Sequence, residues 1–304
     1  MSYYELDKEY VLNTYKRIPL DVAKGDGGYL FDTEGNKYLD MFSGIAVLHL
    51  GHNDQGLKDA MINQINKYAH LSNYFASEPV VELAKKLVEN SFAKKVFFAN
   101  SGTEANEGAL KLAVKWGKEI NINKTEIIST LNGFHGRTTG ALALTGQPGK
   151  QEPFSTILPA VKYINYNSIE NLKAAVNENT CAIFLEAIQG EGGIIELDIE
   201  FVKELHALRD KYNFLIIMDE IQAGLGRTAS ELFAYEAYGV NPDLVTLAKG
   251  IGGGLPLGAI LISEKLENVK SILMKHASDG KKEAVIDSHY YDKWVVNWLT
   301  CQGL

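Results

Sequence analysis

Short apolar segments alternate with longer amphipathic segments along the middle of the chain, and this alternation constrains the fold more than any other feature. The apolar segments are continuous, as in strands covered on both faces, and the amphipathic segments have the length of helices that connect parallel strands. The predicted strands are 96–99, 126–129, 161–164, 182–186, 214–219, 244–247 and 258–262. The predicted helices are 80–89, 103–118, 169–176 and 200–212. The sequence therefore predicts an α/β fold with a mostly parallel central sheet covered by helices.

The first part of the chain has a different pattern, which is typical of a β-hairpin. Residues 29–32 and 37–40 form two short strand-like segments on either side of the turn sequence Thr-Glu-Gly-Asn. The 304 residues suffice for one large domain or two modest ones. We therefore expect residues 1–55 to form the N-terminal part of a small α+β lobe and residues 56–262 to form the large α/β domain.

The amino-acid composition argues against some binding partners and favours one cellular compartment. There are 30 Lys and Arg residues against 38 Asp and Glu residues, and a net charge of −8 makes nucleic acid or an anionic membrane a poor partner. Cys181 and Cys301 do not form a CxxC pair, and the N-terminus lacks the basic and apolar regions of a signal peptide. The longest apolar runs are too short to cross a membrane. The simplest expectation is a cytoplasmic protein without a disulfide framework.

Five of the predicted strands end in segments that combine glycine with polar or charged residues. Ligands bind beyond the carboxyl ends of strands in an open parallel sheet, so we expect one shared site at this edge. At the first of these ends Ser101-Gly102-Thr103 opens a helix, whose free N–H groups and dipole favour an anion such as phosphate. The alternative is a capping box between Ser101 and Glu104 that binds no ligand, and the residues alone leave both interpretations open.

Two further strand ends carry Asp219 and Lys249. Asp219 ends the most apolar strand, where an acid could hold a protonated ring nitrogen, form an ordinary salt bridge or lie exposed. An Asp-Glu pair after a strand is also typical of a Walker B metal site, but the chain has no Walker A loop. Lys249 precedes four glycines within five residues, and it could lose its proton and form a Schiff base or be a plain surface lysine.

Two loops offer less specific candidates. Phe134 could stack on a flat cofactor and Arg137 could bind a carboxylate with two hydrogen bonds, or both could be ordinary loop residues. Glu186 and Glu191 could be the paired acids of a glycosidase, although nothing else in the sequence supports a sugar site. No histidine cluster has metal-ligand spacing and no GxGxxG pattern follows the first strong strand. We therefore expect neither a metal ion nor a dinucleotide.

The strand-end segments, taken in order, resemble the class III pyridoxal-phosphate-dependent aminotransferases. Residues 13–15, 44–47 and 144–147 are most similar to the acetylornithine aminotransferases of that class, which act in arginine biosynthesis. The resemblance covers roughly residues 10–262 and implies the fold-type I architecture of pyridoxal-phosphate-dependent transferases. The segments that carry it are 101–106, 133–138, 188–193, 219–228 and 248–254.

The resemblance also implies a role for each candidate residue. Lys249 would bind the cofactor covalently and then move the substrate's Cα proton, and Asp219 would keep the pyridine nitrogen protonated. Gly102 and Thr103 would bind the phosphate of the cofactor. The cofactor ring would lie between Phe134 and Ile221, and Gln222 would reach the 3′-oxygen of that ring. The implied cofactor-binding residues are Ser101, Gly102, Thr103, Phe134, Asp219, Glu220, Ile221, Gln222 and Lys249. The implied substrate-binding residues are Arg137 for the α-carboxylate, with Tyr15 and Glu191.

The implied reaction moves the terminal amino group of N-acetylornithine onto 2-oxoglutarate in a homodimer. Ornithine, succinyl-diaminopimelate, GABA and putrescine stay open as amino donors. The similarity fades after Ser263, and the family's Gly-Ser-Thr-Phe-Gly-Gly-Asn-Pro segment does not occur in residues 264–304. We therefore expect residues 263–304 to be a divergent tail of a truncated or frame-disturbed product, in place of the family's small C-terminal domain. An inactive remnant of the cofactor fold is the second hypothesis.

Overall fold

The computed structural model describes residues 2–228, 231–267 and 269. The strands are β1 (Val22–Asp26), β2 (Tyr29–Asp32), β3 (Lys37–Leu39), β4 (Lys95–Ala99), β5 (Glu126–Thr130), β6 (Lys162–Ile164), β7 (Thr180–Leu185), β8 (Ile188–Gln189), β9 (Ile195–Glu196), β10 (Leu215–Asp219), β11 (Leu244–Leu247) and β12 (Gly258–Ile262). The helices are α1 (Tyr3–Tyr10), α2 (Ser43–Ala46), α3 (Gln55–Lys67), α4 (Glu78–Glu89), α5 (Gly102–Ile120), α6 (Thr139–Leu144), α7 (Pro148–Gln151), α8 (Ile169–Ala175), α9 (Ile199–Tyr212), α10 (Ala234–Ala237) and α11 (Glu264–Glu267), with 3₁₀ helices η1 (Glu152–Ile157) and η2 (Lys249–Gly252). None of the helices in this part of the chain is both long enough and apolar enough for a bilayer crossing.

A seven-stranded sheet in the order β4-β12-β11-β10-β7-β5-β6 forms the centre of the fold. The strands from β11 to β6 are parallel to one another, and β12 runs antiparallel to both β11 and β4. Each strand that the sequence predicts in this sheet is present. The predicted α/β fold with a mostly parallel sheet is therefore confirmed. Because β4, β5, β7, β10 and β11 all point the same way, the segments that follow them meet at one edge.

Helices cover both faces of this sheet and exclude water from it. α5 packs against the sheet through small side chains, with Ala105, Ala109 and Ala113 fully buried. The principal apolar cluster includes residues of α8 and α9, and its fully buried side chains include Phe184 and Phe201. Each large side chain buried in this way contributes about 1.5–3 kcal/mol relative to an exposed one. The two layers hold the strand ends in fixed positions, which a binding site requires.

The predicted hairpin near the N-terminus is confirmed, and it belongs to a three-stranded sheet. β2 and β3 pair antiparallel, and the Asp32 carboxylate accepts hydrogen bonds from the N–H groups of Glu34 and Asn36 in the turn, at 2.9 Å each. β1 pairs with β2 and was not predicted from the sequence. Its residues include Lys, Gly and Asp, which are uncommon in strands, so its pattern did not indicate one.

The residues up to Glu267 form one compact unit. The division of this unit into a small lobe at 1–55 and a large domain at 56–262 stays a prediction. Most of the expected tail at 263–304 lies outside the described residues, which end with α11 apart from residue 269.

Candidate active site

One cavity of about 530 Å³ lies at the sheet edge where the five strands end. The segments after β4, β5, β7, β10 and β11 all contribute side chains to its wall. The residues proposed from the sequence that line it are Tyr15, Ser101, Gly102, Thr103, Phe134, Arg137, Glu191, Asp219, Ile221, Gln222 and Lys249. The fold thus brings together every candidate except Glu220, while the role of each residue stays a prediction.

The start of α5 forms one end of the cavity and carries the predicted capping interaction. The Ser101 hydroxyl accepts a hydrogen bond from the N–H of Glu104 at 3.3 Å, and the Glu104 carboxylate accepts one from the N–H of Asn100 at 2.6 Å. These bonds satisfy backbone donors at the helix terminus. The capping arrangement and an anion site are therefore not exclusive alternatives, because the cap leaves other donors free.

The free donors at this helix start are the N–H groups of Gly102 and Thr103. Neither group has a hydrogen-bond acceptor among the described residues. A Cβ at Gly102 would lie 2.7 Å from Ile221 Cδ1 and 3.2 Å from Ala248 Cβ, so a side chain there would force Ile221 to move. Glycine thus allows a close approach to two unpaired backbone donors at the positive end of a 19-residue helix. This arrangement suits a phosphate group.

Asp219 lies at the end of β10, where only 5% of its surface is exposed. Its Oδ2 accepts a hydrogen bond from Asn106 Nδ2 at 2.8 Å and lies 2.7 Å from His135 Nδ1, and its Oδ1 accepts one from the N–H of Ile221 at 3.0 Å. An ionised carboxylate only accepts, so His135 donates through Nδ1. Three donors converge on a carboxylate that lines the cavity, and they compensate for the water it has lost.

His135 is enclosed in the protein next to this carboxylate. Burial opposes a charge on the ring, but the hydrogen bond and the negative charge of Asp219 outweigh it, so the pKa of His135 is raised. Its Nε2 has no hydrogen-bond partner among the described residues. The ring therefore makes its hydrogen bond through Nδ1, and that bond orients the carboxylate of Asp219.

Lys249 follows β11 and begins η2 with a φ of 49°, in the left-handed region that favours glycine. Burial lowers the pKa of its ammonium group, and the negative charges of Asp219, Glu191 and Glu186 oppose this effect. A lysine with a lowered pKa provides more of the neutral amine, which is the nucleophilic form. A strained backbone at a cavity-lining lysine is typical of a functional position.

Asn106 and His135 were not assigned a role from the sequence, and Glu186 was considered only as one of the paired acids of a glycosidase. Glu186 also lines the cavity, accepts a hydrogen bond from the N–H of Phe134 at 3.2 Å, and has a pKa raised by burial to about 7. Asn106 is fully buried. A polar residue on the apolar face of α5, one turn after Gly102, was the signal that could have identified Asn106 from the sequence.

Two positively charged side chains lie near Phe134, which lines the cavity. The Arg137 guanidinium lies 5.9 Å from the centre of the Phe134 ring and the Lys150 ammonium lies 4.9 Å from it. Tyr15 also lines the cavity, although 59% of its surface is exposed. Arg137 presents the charge and the planar donors that a substrate carboxylate requires.

Glu220 was expected to bind the cofactor, but its side chain does not line the cavity. Its two carboxylate oxygens accept hydrogen bonds from the N–H groups of Ala234 and Tyr235, at 2.7 and 2.9 Å. Successive side chains at a strand end point to opposite sides, so Asp219 faces the cavity while Glu220 faces α10. Glu220 joins the end of β10 to the start of α10.

Glu220→Gln is expected to remove part of the dependence of stability on pH. Burial raises the pKa of Glu220 to about 8, whereas an unfolded glutamate titrates near 4.3, so the native state holds a proton that the unfolded state releases between these values. Stability therefore falls as the pH rises through this window. We expect urea unfolding to show that the wild type loses about 2 kcal/mol more than the variant between pH 6 and pH 8. The control is Glu200→Gln at an exposed position, and equal losses in all three proteins would contradict the assignment.

Comparisons with known proteins agree with this geometry. The profile of the family Aminotransferase class-III matches residues 10–278. Acetylornithine aminotransferase of Caldanaerobacter subterraneus is 49% identical over 259 residues, and succinylornithine transaminase of Photorhabdus laumondii is 43% identical over 263 residues. These matches cover 85% and 86% of this chain but 66% and 65% of the relatives. The chain thus spans about two thirds of the length of these curated relatives.

Solved structures give the same result for the fold. An omega transaminase from Pseudomonas jessenii in complex with PMP superimposes with a TM-score of 0.81 at 29% identity, covering 88% of this chain and 66% of that one. N-acetylornithine aminotransferase from Stenotrophomonas maltophilia has a TM-score of 0.74 at 37% identity, covering 87% and 66%. The predicted fold-type I architecture is confirmed by these likenesses.

Proposed function

The chain belongs to the class III aminotransferases, and on this basis we propose that it is a pyridoxal-phosphate-dependent transaminase. In this proposal it moves the terminal amino group of N-acetylornithine onto 2-oxoglutarate. The observation that carries the proposal is the convergence of Lys249, Asp219 and the unpaired N–H groups at the start of α5 on one cavity. Acetylornithine and succinylornithine transaminases among the relatives support an acylated ornithine as the amino donor.

The residues of the cavity fit pyridoxal phosphate. Gly102 and Thr103 offer two unpaired backbone donors for the phosphate at a helix N-terminus. Asp219 offers a buried carboxylate for a protonated ring nitrogen, and Lys249 offers an amine of lowered pKa for the aldehyde. Pyridoxal phosphate carries a phosphate, a ring nitrogen and an aldehyde on one flat molecule. The cavity offers a residue of suitable chemistry for each of these three groups.

When bound, pyridoxal phosphate supplies an aldehyde that takes up an amino group and a ring that accepts electrons. Lys249 would hold the aldehyde end of the cofactor through Nζ and would move a proton at the substrate carbon. Asp219 would hold a proton at the ring nitrogen, and the hydrogen bonds from His135 and Asn106 fix the direction of its carboxylate.

In this proposal, Arg137, Tyr15 and Glu191 bind the substrates. Arg137 binds the α-carboxylate of the amino donor and, in the second half of the reaction, a carboxylate of 2-oxoglutarate. A Cβ at Gly190 would overlap the amide of Gln222, so this glycine leaves room for the residue that would reach the 3′-oxygen of the cofactor. Glu191 also lines the cavity. In this proposal it corresponds to the family glutamate that pairs with a C-terminal arginine and frees it when 2-oxoglutarate enters.

We include a second copy of this chain as a partner in the proposal. Several large apolar side chains in the first 75 residues are exposed, among them Met41 at 82%, Phe42 at 66% and Phe75 at 68%. Exposed apolar side chains in such numbers are typical of a protein interface. A homodimer would bury them.

The substrate assignment predicts a distinct order among amino donors. With the cofactor-loaded protein, N-acetylornithine should convert the aldehyde form of the cofactor to its amine form at least about tenfold faster than putrescine, which lacks the carboxylate that Arg137 binds. Ornithine and GABA should also react more slowly. Stopped-flow absorbance measures each half-reaction without a second substrate. Faster conversion by ornithine, GABA or putrescine would overturn the substrate assignment.

Arg137→Gln is the matched control for this comparison. It removes the charge but keeps a planar amide, so the rate with N-acetylornithine should fall to about the rate with putrescine. The rate with putrescine itself should stay unchanged. A uniform loss for both donors would instead indicate general damage to the site.

A further inference from the structure

Glu107 lies on α5 one turn beyond Thr103 and contacts the loop that carries Arg137. Its Oε1 accepts hydrogen bonds from the Thr138 hydroxyl at 2.6 Å and from the N–H groups of Gly140 and Ala141 at 2.7 and 3.1 Å. One carboxylate oxygen thus anchors both the end of this loop and the start of α6. Glu107 itself does not line the cavity, so it acts only through its neighbours.

Each threonine hydroxyl has a single proton, and this fixes which residue donates each hydrogen bond between Thr103, Thr138 and Glu107. A carboxylate only accepts, so Thr138 gives its single hydroxyl proton to Glu107. The Thr138 and Thr103 hydroxyl oxygens are 2.9 Å apart, and since Thr138 has no second proton, Thr103 must be the donor between them. The chain of hydrogen bonds therefore runs from Thr103 through Thr138 to Glu107, and it begins at the residue whose N–H faces the anion site.

The packing of the loop against α5 supports a fixed arrangement. A Cβ at Gly136 would overlap the Thr103 hydroxyl, and a Cβ at Gly140 would overlap the Glu107 carboxylate. Two glycines thus let the loop come close enough for these hydrogen bonds to form. Gly136 also has a φ of 135°, a backbone conformation that other residues rarely adopt.

We propose that Glu107 is a positioning residue of the phosphate site, which holds Thr103 and the Arg137 loop in register through the proton of Thr138. This inference rests on the proposed function, because it takes the anion to be the cofactor's phosphate. In this arrangement the backbone N–H groups of Gly102 and Thr103 bind the phosphate, while the Thr103 hydroxyl ties the helix start to the loop.

The test compares Glu107→Ala with Glu107→Gln, since both remove the charge and only glutamine keeps an acceptor for Thr138 and the two amides. Binding of pyridoxal phosphate to the cofactor-free protein is measured by absorbance titration. We expect Glu107→Ala to bind about tenfold more weakly than Glu107→Gln, the loss typical of one hydrogen bond to a well-ordered partner. The gap should disappear with pyridoxal, which has no phosphate, and it should shrink in a Thr138→Val background, where only the two amide contacts remain.

Each outcome of this test decides a separate question. Equal affinities of the two Glu107 variants, a gap that persists with pyridoxal, or a gap of unchanged size in the Thr138→Val background would overturn the positioning role. Thermal unfolding of the cofactor-free variants reports any general loss of stability, which would weaken both aldehydes alike. If the wild type bound neither aldehyde, the proposed function would fail, and this inference with it.

Discussion

Lys249→Ala is expected to reduce turnover by at least about 10³-fold, within the range for loss of a residue that transfers a proton at the reacting carbon. Two functions are lost together, because the same amine binds the aldehyde of the cofactor and moves the substrate proton. No other lysine lines the cavity within the described residues, so none can replace it from the same position. The variant should keep the noncovalent contacts at the start of α5 and at Asp219.

The measurement that isolates this role is covalent capture of the cofactor. Wild-type protein incubated with pyridoxal phosphate and reduced with borohydride should carry the cofactor on the peptide that contains Lys249, detected by mass spectrometry. The Lys249→Ala protein should carry none there, although it should still bind the cofactor reversibly. The matched control is Lys203→Ala on α9, where the lysine is exposed and pairs only with a neighbouring glutamate.

Folding of this variant is not expected to obscure the result. Lys249 already has a positive φ, and alanine pays about the same backbone penalty as lysine there, because both carry a Cβ. Removing a half-buried ammonium group also removes a cost of burial, as the lowered pKa indicates. Capture of the cofactor on a different lysine of the wild type would contradict the assignment.

The central sheet could be predicted because its strands are apolar throughout and are separated by helical segments. The direction of β12 could not, since an apolar strand has the same pattern in either orientation and its neighbours are decided by tertiary packing. β1 was missed for the opposite reason, because Lys24, Gly25 and Asp26 give an exposed strand no hydrophobic pattern. For both β12 and β1, the residues of the strand do not encode which other strand it pairs with.

The candidate site was predictable where a single residue type carries the chemistry. Lys249 and Asp219 stand at strand ends in the sequence, and parallel strands bring such ends together. His135 and Asn106 were not identified, because their roles depend on a hydrogen bond to Asp219 from segments 84 and 113 residues away. Glu220 was misplaced although the alternation of side chains along a strand separates it from Asp219.

Asp219→Asn is expected to lower turnover by about 10²–10³-fold while leaving much of the cofactor bound. Among the described residues this carboxylate has three hydrogen-bond donors, namely Asn106 and His135 at Oδ2 and the N–H of Ile221 at Oδ1. An amide in its place must direct its NH₂ group toward one of these donors, so it loses a hydrogen bond. It also offers no negative charge to hold a proton at the ring nitrogen, and an unprotonated ring accepts electrons poorly.

Binding and turnover should therefore separate in this variant. The helix start and Lys249 still hold the phosphate and the aldehyde, so the affinity for pyridoxal phosphate should fall by about tenfold, the lower end of the loss for one hydrogen bond to a charged group. The matched control is Asp210→Asn, where the carboxylate is exposed and pairs with Arg209. Absorbance titration gives the affinity and the half-reaction with N-acetylornithine gives the rate. Unchanged turnover would refute the role of Asp219 at the ring nitrogen, whereas loss of binding and turnover in proportion would indicate that its carboxylate mainly holds the cofactor in place.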